Sequence, residues 1–221
     1  IESGVALSET GKFGTTNGAA MKISPVGIVA DYRDLADLVR KVEQICLPTH
    51  HTSIAIAGAS AIAVCISYVI NGGQRIAKLW ELAQEAIHSS MEYGTDFPSP
   101  SLAKRLEQAK TIVQEADKEE ALFRLYNEIG SGIQTIETVP AVLGIIDLAQ
   151  GNPVVAGQLA AEIGGDTDTI GAIACGICGG LYPDLLSKEV EEKLAKVNKI
   201  DFDQYVKMLV PYLKDDSYHS L

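Results

Sequence analysis

The stretch from Ile54 to Ile70 carries no charged side chain. At about 17 residues it lies at the lower limit for a helix that crosses a bilayer. It is rich in Ala and Ser, however, and no basic residue flanks either end closely. A helix that is apolar all round belongs in the core of a protein, so the stretch predicts a central helix packed on all sides. Other helices must then surround it. Leu35, Leu38, Val39, Val42 and Ile45 follow the i, i+3, i+4, i+7 spacing of one buried helical face, with Asp31 placed as an N-cap.

From Ala19 onward nearly every segment repeats with helical period. Ser99-Pro100 reads as an N-cap followed by Pro at the first helical position, and Asn152-Pro153 repeats the device. The charged span Lys104 to Glu120 predicts a solvated helical face with acid–base pairs at helical spacing, and Lys188 to Lys199 a second amphipathic helix. Strand signals are weak: there is no sustained period-2 run, and Asn17-Gly18 leads into a helix rather than a hairpin. Residues 3 to 18 form a Ser/Gly/Thr-rich stretch without a periodic element. Hydrophobic residues at 47% supply a sizeable core, while aromatic residues at only 6% suit helices that approach closely. The expectation is an all-α, single-domain helical bundle of about ten helices over residues 1–221.

Charge and cysteine content narrow the function. With 18 Lys+Arg against 29 Asp+Glu, the net charge is −11, the wrong balance for gripping a phosphate backbone. Neither nucleic acid nor membrane is expected as a partner. Four cysteines do not make a disulfide scaffold, and no basic–apolar–small leader opens the chain, so a reducing cytoplasm is expected.

The richest chemistry lies in Gly164-Gly165-Asp166-Thr167-Asp168-Thr169-Ile170-Gly171-Ala172. Two carboxylates one residue apart, interleaved with hydroxyls, form a hard-oxygen set suited to Mg²⁺, Mn²⁺ or Ca²⁺. The competing explanation is helix capping, with Asp166 or Thr167 as N-cap and Asp168 favoured by the helix dipole. The small-residue helix from Ala172 to Gly180 can lie deep inside the protein. A second candidate is the Gly-rich loop Gly11–Gly18, whose backbone N–H groups could face an anion at a helix start, although it is not a P-loop. The third is Thr49-His50-His51-Thr52, either a capping turn or the source of one histidine contact, since adjacent histidines cannot both face one site. Cys175-x-x-Cys178 lacks a second pair and reads as buried small-residue packing. No G-x-S-x-G nucleophile motif occurs.

In this order the segments resemble the ADP-ribosylglycohydrolase family. The run GGDTDTIGAIA at Gly164–Ala174 is close to that family's C-terminal metal motif. TNGAAMKISPVG at Thr16–Gly27 resembles its Asn-Gly-Ala-Ala-Met-Arg…Pro segment, Thr49-His50 the Thr-His before its long buried helix, and ETVPAVL at Glu137–Leu143 the segment ahead of the metal motif. The likeness extends from about Gly11 to Pro183. It implies an all-α bundle holding two divalent ions, Mg²⁺ or Mn²⁺, and cleaving ADP-ribose from a protein side chain or a small acceptor. Asp166, Asp168 and Thr169 would then be metal ligands. Gly14, Thr15, Asn17 and Gly18 would line the diphosphate and ribose pocket, with His50 nearby. Alternatives are a non-catalytic ADP-ribose-binding or crystallin-like structural relative, and a hydrolase of another ribosylated small molecule.

The family's Thr-Asp-Asp-Thr motif and an acidic residue upstream of it, which complete the metal site, do not occur in this sequence. With Ile1 in place of an initiator, the chain reads as the C-terminal two-thirds of a family member. Alone it is expected to be inactive, to bind divalent metal weakly, and to form oligomers or associate with the missing N-terminal segment.

Overall fold

The computed structural model describes residues 4–213, so Ile1 lies outside the described span. The helices are α1 (Leu7–Thr10), α2 (Gly18–Met21), α3 (Ser24–Val29), α4 (Leu35–Cys46), α5 (Ser53–Ile70), α6 (Ile76–Ser90), α7 (Leu102–Glu115) and α8 (Lys118–Arg124). A π-helical turn at Leu125–Ile129 continues α8, followed by α9 (Thr135–Leu148), α10 (Pro153–Ile163), α11 (Thr167–Leu181), α12 (Lys188–Asn198) and α13 (Phe202–Leu209). Among the described residues there is no strand, only two isolated bridges, Thr16 with Gln134 and Thr52 with Thr95. The all-α expectation holds. The helices outnumber the ten expected because single turns such as α1 and α2 are too short to show a period.

The uncharged stretch forms α5, and every residue from Ser53 to Val69 in it is buried. Thr52 starts the helix: its Oγ1 accepts from the Ala55 N–H at 3.3 Å and donates to the Gly14 carbonyl at 2.5 Å. Helices α2, α3, α4, α6, α9 and α11 all pack against α5. Small residues set the closeness of that packing. At Gly58 a Cβ would overlap Thr135 Cγ2 and come within 3.1 Å of Val139 Cγ2, so only glycine lets α9 lie this near. Ser67 on the same helix donates to the Ala30 carbonyl at 2.6 Å and accepts from the Tyr32 N–H at 2.9 Å, fixing the α3–α4 connection to the core.

Several helix starts differ from the sequence reading. Asp34, not Asp31, caps α4, its side chain accepting from the Asp37 N–H at 3.2 Å. Asp31 instead accepts from Arg33 N and Nε at 2.9 and 2.8 Å, closing the turn before the helix. The buried stripe of α4 is Leu38, Val39, Val42 and Cys46; Ile45 is 43% exposed because Cys46 takes the inward position of the last turn. Leu35, in the first turn, is only partly buried. Ser101 caps α7 by accepting from the Lys104 N–H, whereas Ser99 donates to the Pro100 carbonyl and stays outside the helix. The span Lys104–Glu120 is two helices, because Asp117 adopts extended backbone and caps α8 through the Glu120 N–H at 3.0 Å. One turn of helix, α1, forms within the stretch read as aperiodic. Asn152-Pro153 starts α10 as expected, with Asn152 Oδ1 accepting from the N–H groups of Val154 and Val155. The amphipathic helix at Lys188 is also present as α12.

Candidate functional site

Three segments far apart in sequence meet at one side of the bundle. Residues 15–17 pair with residues 133–135: the Asn17 N–H donates to the Ile133 carbonyl at 2.8 Å, and the Thr135 N–H to the Thr15 carbonyl at 3.2 Å. Thr135 Oγ1 adds bonds to the carbonyls of Thr15 and Thr16 at 2.9 and 3.0 Å, and Thr15 Oγ1 donates to Gln134 Oε1 at 3.1 Å. The position of Thr135 against Gly58 therefore fixes the loop.

The third segment is the turn into α11. Gly164 and Gly165 have φ of +82° and +74°, the left-handed conformation that favours glycine. This sharp turn lets the Asp166 N–H reach the Ser131 carbonyl at 2.7 Å. Asn17, 4% exposed, joins the segments: its Nδ2 donates to Thr138 Oγ1 at 2.8 Å and to Asp166 Oδ2 at 2.5 Å. Thr138 Oγ1 in turn donates to the Gly132 carbonyl at 2.9 Å, and Glu137 accepts from the Gly132 N–H at 2.8 Å. Thr169 Oγ1 donates to Asp166 Oδ1 at 3.0 Å.

Asp166 occupies the N-cap position of α11 but makes no side-chain capping bond. Its carboxylate instead faces Asn17 and Thr169, which removes helix capping as the account of that side chain. Asp168, one residue past Thr167 in the first turn, is exposed, and Thr169 is buried. The helix that follows is deep on one side only: Ala174, Ile177 and Cys178 are buried, whereas Ala172 and Gly176 are exposed.

His50 borders the same loop. Its Nε2 lies 2.9 Å from Thr16 Oγ1 and its Nδ1 2.9 Å from Thr49 Oγ1, while a Cβ on Gly18 would come within 2.7 Å of its ring. Gly14 packs against the His50 backbone, where a Cβ would stand 2.9 Å from Cα. His51 turns away and pairs with Glu43 Oε1 at 2.8 Å, so the two histidines face different surroundings. Partial burial, then the nearby Lys22 ammonium, push the His50 pKa below its ordinary 6.5. The folded state thus prefers neutral His50, so its contribution to stability is complete above pH 6.5 and declines as pH falls below that value. An NMR titration is expected to give a midpoint below 6.5, moving upward in Lys22→Ala; a midpoint at or above 6.5 contradicts the assignment.

As an anion cradle the Gly-rich loop is limited, because the Gly14 and Asn17 N–H groups are already bonded to the carbonyls of Gly11 and Ile133. The helix it leads into, α2, has only four residues. The sequence residues that do converge are Asn17, Asp166 and Thr169, with Gly14, Thr15 and Gly18 on the adjoining loop and His50 beside it on the turn into α5. Missed were Thr16, Ser131, Gln134 and Thr135. Ser131 sits between Gly130 and Gly132, a turn signal ahead of α9, and its buried Oγ has no hydrogen-bond partner among the described residues.

Among the described residues no three His, Cys, Asp or Glu side chains gather as a metal cluster. The segment supplies two carboxylates and a threonine hydroxyl. Each Asp166 oxygen accepts one hydrogen bond and keeps a further lone pair, and the unpartnered Ser131 hydroxyl lies beside the turn. Such an all-oxygen set, incomplete by itself, fits a hard divalent cation that retains water.

Cys175 and Cys178 lie away from this chemistry. Cys175 Sγ contacts the Pro153 carbonyl at 3.4 Å, and Cys178 is fully buried. Burial raises both thiols, Cys178 to about 12, with the neighbouring Cys175 adding to the latter. A Cys175→Ala/Cys178→Ala double variant is expected to keep its fold and any hydrolase activity, and Cys178 to resist thiol reagents until the protein unfolds. Loss of activity with an unchanged circular dichroism spectrum would contradict this.

A helical bundle that gathers an Asp-x-Asp-Thr turn, a buried asparagine and a glycine-rich loop on one side is an all-α protein with a polar cluster built from distant segments. The sequence model of the ADP-ribosylglycohydrolase family matches residues 1–214, and the chain belongs to that family. It is 40% identical to the uncharacterized protein YegU of Escherichia coli strain K12 over 96% of its length and 64% of that protein's. It is 28% identical to the ADP-ribosylhydrolase ARH3 of Xenopus tropicalis, over 78% of this chain and 53% of that one. With the ARH3 of Danio rerio the identity is 29%, over 78% and 50%. The chain thus spans between half and two-thirds of the length of these relatives.

Proposed function

We propose that the protein carrying this chain is a divalent-metal-dependent hydrolase that cleaves the glycosidic bond between ADP-ribose and a protein side chain or small acceptor. The observation that carries this reading is the Asn17 amide bonded at once to Thr138 and to the Asp166 carboxylate, which ties the loop, α9 and the metal motif into one site. Family membership and the similarity to two ADP-ribosylhydrolases support it.

Asp166, Asp168 and Thr169 would hold Mg²⁺ or Mn²⁺, two ions being expected once further ligands complete the set. When bound, the ions would orient ribose hydroxyls and polarise a water near the anomeric carbon. The chain's own residues do the positioning. Asn17 fixes one Asp166 oxygen and Thr169 the other, so the carboxylate is held before any ligand arrives. Gly14, Thr15, Asn17 and Gly18 would line the diphosphate and ribose, the two glycines letting the Thr49–His50 segment pack closely against the loop. His50, kept neutral, holds the Thr16 hydroxyl at the rim. The bond broken passes through an oxocarbenium-like state, whose positive charge the nearby carboxylates would favour. The four free thiols fit a reducing, cytoplasmic setting.

The experiment is hydrolysis of ADP-ribosyl-arginine and of a serine-ADP-ribosylated peptide, with Mg²⁺, with Mn²⁺ and with a chelator. Release of ADP-ribose that stops on chelation supports the reading. Tight ADP-ribose binding without release from either substrate would favour the non-catalytic alternative.

A further inference from the structure

Beside the candidate site lies an aromatic cleft with acidic edges. Phe123 and Tyr126, on α8 and its π-helical continuation, are 68% and 51% exposed. With Leu122 and Ile163 they line a hollow of about 250 Å³ bordered by Glu119 and Glu162, which continues past Phe123 into one of about 350 Å³ bordered by Asp117 and Glu120. The cleft adjoins the metal motif directly: Gly164, two residues before Asp166, lies under the Tyr126 ring, whose edge would be 3.6 Å from a Cβ built there.

Charge identifies the occupant. Asp117, Glu119, Glu120 and Glu162 are all exposed around this cleft. Of the basic residues on α8, Arg124 is held by Glu128 at 2.6 Å, which leaves Lys118 against four carboxylates. The chain as a whole carries a net charge of −11. Exposed aromatic faces between carboxylates suit guanidinium and ammonium groups, whose stems pack on the rings while their charges meet the acids. Nucleic acid and acidic polypeptides are repelled by the same field.

We propose that this cleft docks a basic, arginine- or lysine-bearing segment of the acceptor protein, next to the residue that carries ADP-ribose. The proposal rests on the hydrolase reading for its biological sense, but not for its test. The cleft selects among acceptors and takes no part in bond cleavage.

The test uses an unmodified fluorescent peptide of alternating arginine, leucine and serine, a matched glutamate peptide, and the protein carrying this chain. Fluorescence anisotropy is expected to show binding of the basic peptide alone, weakening as salt rises. A Glu119→Gln/Glu120→Gln/Glu162→Gln variant is expected to bind at least tenfold more weakly with an unchanged circular dichroism spectrum, and Phe123→Ser to lose binding similarly. For an ADP-ribosylated basic peptide the triple variant raises KM and leaves kcat unchanged, while turnover of a small ADP-ribosylated acceptor stays the same. Equal binding by the triple variant, no binding of the basic peptide, or a dimer that Phe123→Ser disperses would each overturn the proposal, the last by assigning the cleft to a second copy. Binding without any hydrolysis retains the cleft and rejects the hydrolase reading. Hydrolysis of the small acceptor without peptide discrimination does the reverse.

Discussion

Asp168→Ala is expected to abolish metal-stimulated turnover in the protein carrying this chain while leaving its melting temperature nearly unchanged. Asp168 is exposed in the first turn of α11, so its loss takes little from the core, and on the proposed reading it removes one ligand oxygen of the metal site. Losing a supporting partner of a metal ligand typically costs roughly 10–100-fold in affinity or activity, and losing a ligand costs more. Asp166→Ala behaves differently. Its carboxylate accepts from Asn17 and Thr169, so removing it also leaves the buried Asn17 amide one partner short. An unsatisfied buried donor costs about 1–3 kcal/mol, so that variant is expected to lose both metal response and stability. Comparing the two by Mn²⁺ calorimetry and thermal melting separates a ligand from a ligand that also holds the loop. Full metal-stimulated turnover in Asp168→Ala would remove it from the metal set.

Gly58→Val is expected to damage the site from inside the core. A side chain at position 58 overlaps Thr135 Cγ2 and presses on Val139, so α9 must shift away from α5. Overpacking of this kind costs about 1–3 kcal/mol, and each kcal/mol lowers the melting temperature of a domain this size by about 2–4 °C. The displaced residue is the one whose hydroxyl holds the carbonyls of Thr15 and Thr16, so on the proposed reading ADP-ribose affinity is expected to fall together with stability. Gly176→Ala is the control. Position 176 is an exposed helical site with nothing within 4 Å of an added Cβ, and alanine there is expected to be neutral or to stabilise by up to about 1 kcal/mol. A Gly58→Val protein as stable as the parent would refute the close α5–α9 packing.

Much of this arrangement was legible in the sequence. The uncharged run announced α5 because a buried helix needs no polar face, and the Asn152-Pro153 pair announced α10 because its chemistry is local. Asp31 and Ser99 misled for the opposite reason: each lies among other capping residues, and the choice of Asp34 and Ser101 depends on where the preceding turn closes. Asp166 and Asp168 stood out by spacing alone, but Thr135 and Ser131 did not. Their importance comes from contacts with residues 15–16 and 165–166, across separations that no short motif encodes. Nor does the pattern of residues 119–126 reveal that Phe123 and Tyr126 open beside the Gly164–Asp166 turn, since Glu162 and Ile163 complete that cleft from another helix.

On the proposed reading, the Gly14–Gly18 loop and the Asp166–Thr169 turn form one metal-linked ADP-ribose site. Calorimetric titration of ADP-ribose with and without Mn²⁺, on the protein carrying this chain and on its Asn17→Ala and Asp168→Ala variants, tests this most directly. Binding of one ligand must strengthen the other if they share the site. The account predicts that Mn²⁺ tightens ADP-ribose binding in the parent and that both variants lose this coupling. ADP-ribose affinity independent of Mn²⁺ in the parent, or coupling that survives in both variants, would contradict it.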